Sequence, residues 1–112
     1  MAIPHAVSGD LVKVHPAAES LPGMFSTAIV KGAHLEVIRV VLPAGKAFPE
    51  HRVAGEVTVQ CIKGVFEFRA HGRTQTLADG DMLFLAAHEP HELLAIQDAA
   101  AIVTISLNGT SA

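Results

Sequence analysis

The chain has 112 residues, of which 50% are hydrophobic and 17% are charged, and its formal net charge is −3. This length fits one domain, and the hydrophobic content excludes a disordered chain. The eight Lys and Arg residues form no cluster, so binding to nucleic acid through phosphate contacts is not expected. The low charge fraction favours a homodimer, because a small monomer with few charged residues has difficulty covering its surface.

The cysteine content, the N-terminal residues and the length of the apolar runs favour a cytoplasmic protein. The single cysteine, Cys61, cannot form an internal disulfide, which fits a reducing compartment. Residues 1–5 have neither a basic nor an apolar signal-peptide region. The longest apolar run covers residues 82–87 and is too short to cross a bilayer. We therefore expect no membrane association.

Residues 1–34 are rich in turn formers and predict an N-terminal extension with short strands at 11–14 and 28–31. We expect this extension to pack on the main domain or on a dimer partner. Residues 35–112 alternate between β-branched apolar stretches and Gly, Asp or Pro turns. The predicted strands cover residues 35–42, 57–63, 65–70, 73–77, 82–85, 91–96 and 101–107. Short strands at this regular spacing are typical of a closed β-barrel or a β-sandwich.

Seven histidines stand out in so short a chain. Four of them are interpreted as solvated loop residues by their positions: His5, His15, His34 and His71. His51 and His91 differ, because each follows a turn and is predicted to open a strand. Two such strands side by side would bring both imidazoles to one mouth of a barrel.

The spacing around these two histidines resembles that of a known family. Gly45, five residues, His51 and the closing Gly64 match the first motif of the cupins. The stretch from Gly80-Asp81 to His91 matches the second motif, with Ala86 at its usual Pro position and His88 at its usual Gly position. From about residue 35 to residue 107 the chain resembles a small single-domain cupin of the jelly-roll superfamily. The resemblance implies an all-β fold, a double-stranded β-helix or jelly-roll barrel, at residues 35–112, and it also points to a homodimer.

The same resemblance implies where a divalent metal would bind. In cupins two histidines and a glutamate of the first motif and one histidine of the second usually hold the metal. Carried over by position, the first ligand is His51 and the last is His91. The second histidine falls on Val53 and the glutamate on Val57, neither of which binds a metal.

Glu56 and Gln60 lie close to these missing positions. In an unbroken strand His51, Val53 and Val57 would share a face, and Glu56 and Gln60 would point away from it. A bulge at 54–55 would reverse this, because glycine in a strand often marks a bulge. His51, His91 and Glu56 would then form a two-histidine, one-carboxylate site, with Gln60 as a fourth ligand, suited to Fe, Mn, Ni or Zn.

Three functions remain open from the sequence. The first is a cupin with a reduced divalent-metal site that binds or acts on a small molecule. The second is a metal-free small-molecule-binding or structural cupin module, favoured by the apolar Val53 and Val57. The third is a regulatory protein whose N-terminal third docks on another chain. The sequence indicates no organic cofactor and no catalytic residue.

Overall fold

The computed structural model describes residues 5–15 and 26–107. These residues form nine strands: β1 Thr27–Lys31, β2 Leu35–Leu42, β3 Ala47–His51, β4 Val57–Lys63, β5 Phe66–Ala70, β6 Arg73–Leu77, β7 Met82–Leu85, β8 His91–Ala95 and β9 Ala99–Ser106. Within the described residues there is no helix, so none is long and apolar enough to cross a membrane. The all-β prediction is confirmed.

The strands form two antiparallel sheets that enclose the core. The five-stranded sheet has the order β1-β2-β9-β4-β7, and the four-stranded sheet has the order β3-β8-β5-β6. Both sheets contribute alternate residues to one buried cluster, in which Phe66, Phe68 and Leu85 are the largest fully buried side chains. Alternation of side chains along each strand therefore fills the space between the sheets and leaves the other side of each sheet outside.

The predicted strands correspond to β2 and to β4–β9, and residues 28–31 fall in β1. Residues 11–14 were predicted as a strand but have no regular secondary structure. β3 was not predicted, because Pro49 interrupts its pattern. Proline is tolerated there since β3 is the edge strand of its sheet, and its register shifts between Phe48 and His51.

The described part of the N-terminal segment lies against the outer side of the five-stranded sheet. Val14 packs on a buried cluster of Val41, Ile62 and Ala100. The Nη1 atom of Arg39 on β2 donates to the carbonyl oxygens of Lys13 at 3.2 Å and Val14 at 3.3 Å. The segment therefore covers one part of that outer side, and β1, which follows it in the chain, pairs with β2 in the same sheet.

Gly55 closes the barrel where the chain passes from one sheet to the other. A Cβ atom at this position would overlap the carbonyl oxygen of Ser106 at the end of β9. The Ser106 amide also donates to the Glu56 carbonyl at 3.0 Å. Only glycine permits so close an approach of two backbones.

Candidate binding site at the barrel mouth

His51 and His91 are cross-strand partners at one end of the four-stranded sheet. We call this end of the barrel the mouth. Their ring centroids lie 4.3 Å apart, with an angle of 56° between the ring planes. The two strands therefore lie side by side as expected. His91 opens β8 as predicted, whereas the prediction that His51 opens a strand is wrong, since it is the last residue of β3.

Both imidazole rings are oriented in the same way by backbone carbonyls. The Nδ1 atom of His51 lies 3.0 Å from the carbonyl oxygen of Pro49, and the Nδ1 atom of His91 lies 3.0 Å from that of Glu89. A carbonyl oxygen only accepts hydrogen bonds, so each Nδ1 carries the proton and donates it. In the neutral rings each Nε2 then keeps its lone pair free for a ligand.

His91 is the one buried polar or charged residue among the described residues, with 5% of its surface exposed. Its ring stacks on Phe68 at a centroid distance of 5.6 Å and an angle of 5°. Burial lowers the pKa of His91 because it removes water from the charged form, and nearby His51 lowers it further. The hydrogen bond to Glu89 and the charge of that residue oppose this shift. His91 therefore favours the neutral form, which can accept a hydrogen bond or bind a metal.

The two remaining family ligand positions are apolar in space as well as in sequence. Val57 is 2% exposed in the core, and Val53 packs against the same cluster. Glu56 and Gln60 are both exposed. On β4 the residues that face the core are Val57, Val59 and Cys61, so Gln60 points to the outer side.

The expectation that a bulge at 54–55 turns Glu56 and Gln60 into the cavity is therefore not met. The physical reason is burial, because the alternative register would expose three apolar side chains and bury Gln60 without a partner. His51 and Val57 also belong to different sheets. The alternation of side-chain directions along β3 therefore does not predict which side chains of β4 face the core.

The side chains at the mouth do not supply enough ligands for a complete metal site. Across residues 5–15 and 26–107, no three His, Cys, Asp or Glu side chains come close enough to hold a metal together. Catalytic zinc and non-haem iron sites use three protein ligands with open positions left for water or substrate. Here the structure brings together two, His51 and His91, and does not bring Glu56 to them.

Sequence reasoning did not single out Glu36. Glu36 on β2 pairs with Ile105 and shares the inward face with Ile38, so a half-buried carboxylate lies on the opposite sheet. His88 has φ of +65°, a left-handed conformation that glycine adopts more readily. This conformation fits the glycine that the family motif has at this position, a correspondence that the sequence analysis had noted for His88. No local pattern marks Glu36.

A surface depression of about 480 Å³ adjoins the mouth between the β5–β6 turn and the loop before β8. One ion pair lines it, Arg69 with Glu92 at 3.4 Å, together with a contact at 3.5 Å between Nδ1 of His71 and the Glu89 carboxylate. The arginine side chain is more than half exposed, so this pair contributes little to stability. His71, interpreted from sequence as a solvated loop residue, lies in the predicted hairpin turn and has φ of +56°.

Comparison with known proteins places this architecture in a family. A family model described as the cupin domain matches residues 38–107, whereas a search of curated proteins finds no match. Among solved structures, KdgF from Halomonas sp. is similar with a TM-score of 0.69 and 20% identity, over 72% of this chain and 77% of that chain.

A conserved protein of unknown function from Streptococcus pyogenes has a TM-score of 0.72 and 20% identity, over 95% of this chain and 96% of its own. The DMSP lyase DddQ from Ruegeria pomeroyi has a TM-score of 0.69 and 22% identity, over 78% of this chain and 48% of its own. At these identities the structural likeness establishes the jelly-roll fold, and the matched family model establishes membership. The chain belongs to the cupin family.

Proposed function

We propose that this cupin binds a small molecule at the barrel mouth and that the His51–His91 pair is the recognition group. The observation that carries the proposal is the orientation of both rings by backbone carbonyls at 3.0 Å. It leaves two imidazole nitrogens with free lone pairs on neighbouring rings. Ligand sites typically combine apolar side chains with a few well-placed polar groups, and here the His51 ring lies near Phe48 while the His91 ring stacks on Phe68.

The chemistry of the pair defines a ligand class. Two hydrogen-bond acceptors complement O–H or N–H donors, so a hydroxyl-bearing small molecule fits the neutral rings best. Phe48 lies 6.1 Å from His51 between ring centroids, and Val53 packs beside the core. These side chains favour a ligand that also has an apolar part. This is the metal-free binding module that the apolar Val53 and Val57 favour.

A divalent metal ion is the second candidate for the same two nitrogens. Metal-bound histidines usually donate their other ring N–H to a carbonyl or carboxylate, and both rings do so here. Fe, Mn, Ni or Zn would be held by two side chains, with water or the small molecule at the other positions. Such an ion supplies Lewis-acid chemistry when bound. A salicylate 1,2-dioxygenase from Pseudoaminobacter salicylatoxidans is among the similar structures, and its activity motivates testing this chain for turnover.

The first experiment measures metal bound per chain by mass spectrometry on untagged protein after incubation with Fe(II), Mn(II), Ni(II) and Zn(II). The variant is His51→Ala with His91→Ala. A matched control, His5→Ala with His15→Ala, removes two histidines outside the mouth. Near one equivalent in the wild type and the control, lost in the variant, establishes the two-histidine metal site. No metal in any of the three proteins eliminates that candidate.

The second experiment tests ligand binding through the imidazole ¹⁵N resonances. Hydroxyl-bearing small molecules are titrated into metal-free protein, and the Nε2 signals of His51 and His91 are followed. We expect ligands to shift both Nε2 signals and to lose affinity in the double alanine variant. A ligand that binds the double variant as tightly as the wild type would refute the role of the pair.

A further inference from the structure

A depression of about 310 Å³ lies between the N-terminal segment and the outer side of the five-stranded sheet. From the sheet it is lined by Ile29 on β1 and Arg39 on β2, and from the segment by residues 5–6 and 10–13. Arg39 follows Ile38, which packs against the core, so the arginine side chain lies outside the barrel. The depression is therefore separate from the mouth, and its volume is at the lower end of the range for small-molecule sites.

The guanidinium of Arg39 has hydrogen-bonding capacity and charge that the described residues do not use. Its Nη1 atom donates to the carbonyl oxygens of Lys13 at 3.2 Å and Val14 at 3.3 Å. Its Nε atom is buried without a hydrogen-bond acceptor, and within residues 5–15 and 26–107 no carboxylate forms an ion pair with the guanidinium. A buried donor without an acceptor costs free energy. In a guanidinium the Nε–H group and one N–H group of Nη2 point the same way, and this fork fits the two oxygens of a carboxylate.

The other residues of the depression favour an anion that also has an apolar part. Lys13 adds a second positive charge to the lining. Asp10 is the one acidic residue among the described residues that line it, and its Oδ2 atom accepts a hydrogen bond from the Val7 amide at 2.9 Å. Two positive groups therefore outnumber one carboxylate. The lining also includes Leu11 and Val12, which are 83% and 37% exposed, and contact with such side chains stabilises apolar groups.

We propose that this depression binds a small organic carboxylate. The two carboxylate oxygens accept hydrogen bonds from the Nε–H and Nη2–H groups of Arg39. Lys13 adds electrostatic attraction, and the apolar part of the ligand lies against Leu11 and Val12. A phosphate group fits less well, because a more highly charged group is more costly to desolvate beside apolar side chains.

Access to the Nε atom of Arg39 limits the affinity. This atom is out of reach of water in the structure, so a carboxylate that bonds it has to move part of residues 10–13 away from the sheet. The two bonds from Nη1, at 3.2 and 3.3 Å, lie at the long end of the usual range and are weak. The movement therefore costs little, and for a small ligand we expect a dissociation constant on the order of 1 mM.

The first test follows the arginine Nε–H signals of the full chain by NMR during titration with 3-phenylpropanoate. The chain has four arginines, so three signals serve as internal references, and loss of one signal in Arg39→Gln assigns the fourth. We expect a saturable shift of the Arg39 signal alone. 3-Phenylpropanamide has a similar shape without the charge and should leave that signal unchanged. Inorganic phosphate is titrated separately.

The second test changes the charge of the depression without removing Arg39. Lys13→Gln keeps the backbone carbonyl that Arg39 contacts, and should weaken 3-phenylpropanoate binding by up to about fivefold. Asp10→Asn keeps a side-chain oxygen for the Val7 amide, and should strengthen binding by up to about fivefold. The matched control Lys46→Gln removes an exposed positive charge that does not line the depression, and should bind as the wild type does.

Four results would overturn the proposal. The first is no saturable shift of the Arg39 signal, or the same shift with the uncharged amide. The second is a response to inorganic phosphate without one to 3-phenylpropanoate, since the ligand class would then be wrong. The third is unchanged affinity in both Lys13→Gln and Asp10→Asn. The fourth is loss of binding in the His51→Ala, His91→Ala variant, which would place the carboxylate at the mouth. The first three leave ligand binding at the mouth untouched.

Discussion

Removal of the Phe68 ring should alter both the stability of the barrel and the titration of His91. Phe68 is 1% exposed and stacks on the His91 ring at 5.6 Å. Replacing a buried phenylalanine with alanine costs about 3–5 kcal/mol, from lost burial and from the cavity that remains. For a domain of this size that corresponds to a fall in melting temperature on the order of 15 °C. The pKa of His91 should rise towards its ordinary value, because burial is the largest cause of its depression.

Phe66→Ala is the matched control for Phe68→Ala. Phe66 lies on the same strand and is 0% exposed, but its cross-strand partners are Leu77 and Ala95 rather than residues of the mouth. Urea unfolding should show a similar loss of stability in both variants. Titration of the His91 ring by NMR should shift only in Phe68→Ala. The reasoning is refuted if Phe66→Ala moves the His91 pKa equally, or if Phe68→Ala leaves it unchanged.

Three further predictions concern stability, each measured by urea unfolding. In the folded protein the pKa of His91 is lowered from 6.5, so neutral His91 contributes fully to the free energy of unfolding above pH 6.5, and this contribution is lost as the pH falls through the folded pKa. The free energy of unfolding should therefore fall more steeply between pH 7.5 and 5.5 in the wild type than in a His91→Gln variant. Equal slopes of the free energy against pH in the two proteins would contradict this. Gly55→Ala should cost about 3 kcal/mol or more, because its Cβ meets the Ser106 carbonyl, and wild-type stability would show that the close approach is unimportant. His88→Gly should stabilise the fold by up to about 1 kcal/mol through relief of its left-handed φ, whereas His88→Val should destabilise it.

Most of the barrel framework follows from local sequence. The β-branched runs of β2 and β4 and the Gly and Asp turns between later strands predict the element order, because a turn needs particular residues and a half-buried strand needs alternation. β3 escaped prediction because Pro49 interrupts its pattern, so that the strand is recognisable only from its pairing with β8. The meeting of His51 and His91 was predictable because both lie next to recognisable turns.

The orientation of Glu56 and Gln60 was decided by the tertiary structure. Alternation fixes the relative directions of neighbours within one strand, but it does not say which side of the strand will be inside. Packing of Val57, Val59 and Cys61 against the opposite sheet makes that choice. The half-buried position of Glu36 depends in the same way on which strands become neighbours.

The sequence by itself determined the β-rich composition, the turns and the two histidines whose spacing matches the cupin family. Those properties rest on the conformational preferences of single residues and on short-range spacing. Only the tertiary structure decided that, among the described residues, no third acidic, histidine or cysteine side chain joins the two imidazoles, and that Glu56 and Gln60 lie exposed. These outcomes depend on contacts between residues far apart in the chain, where burial of apolar surface outweighs local preference.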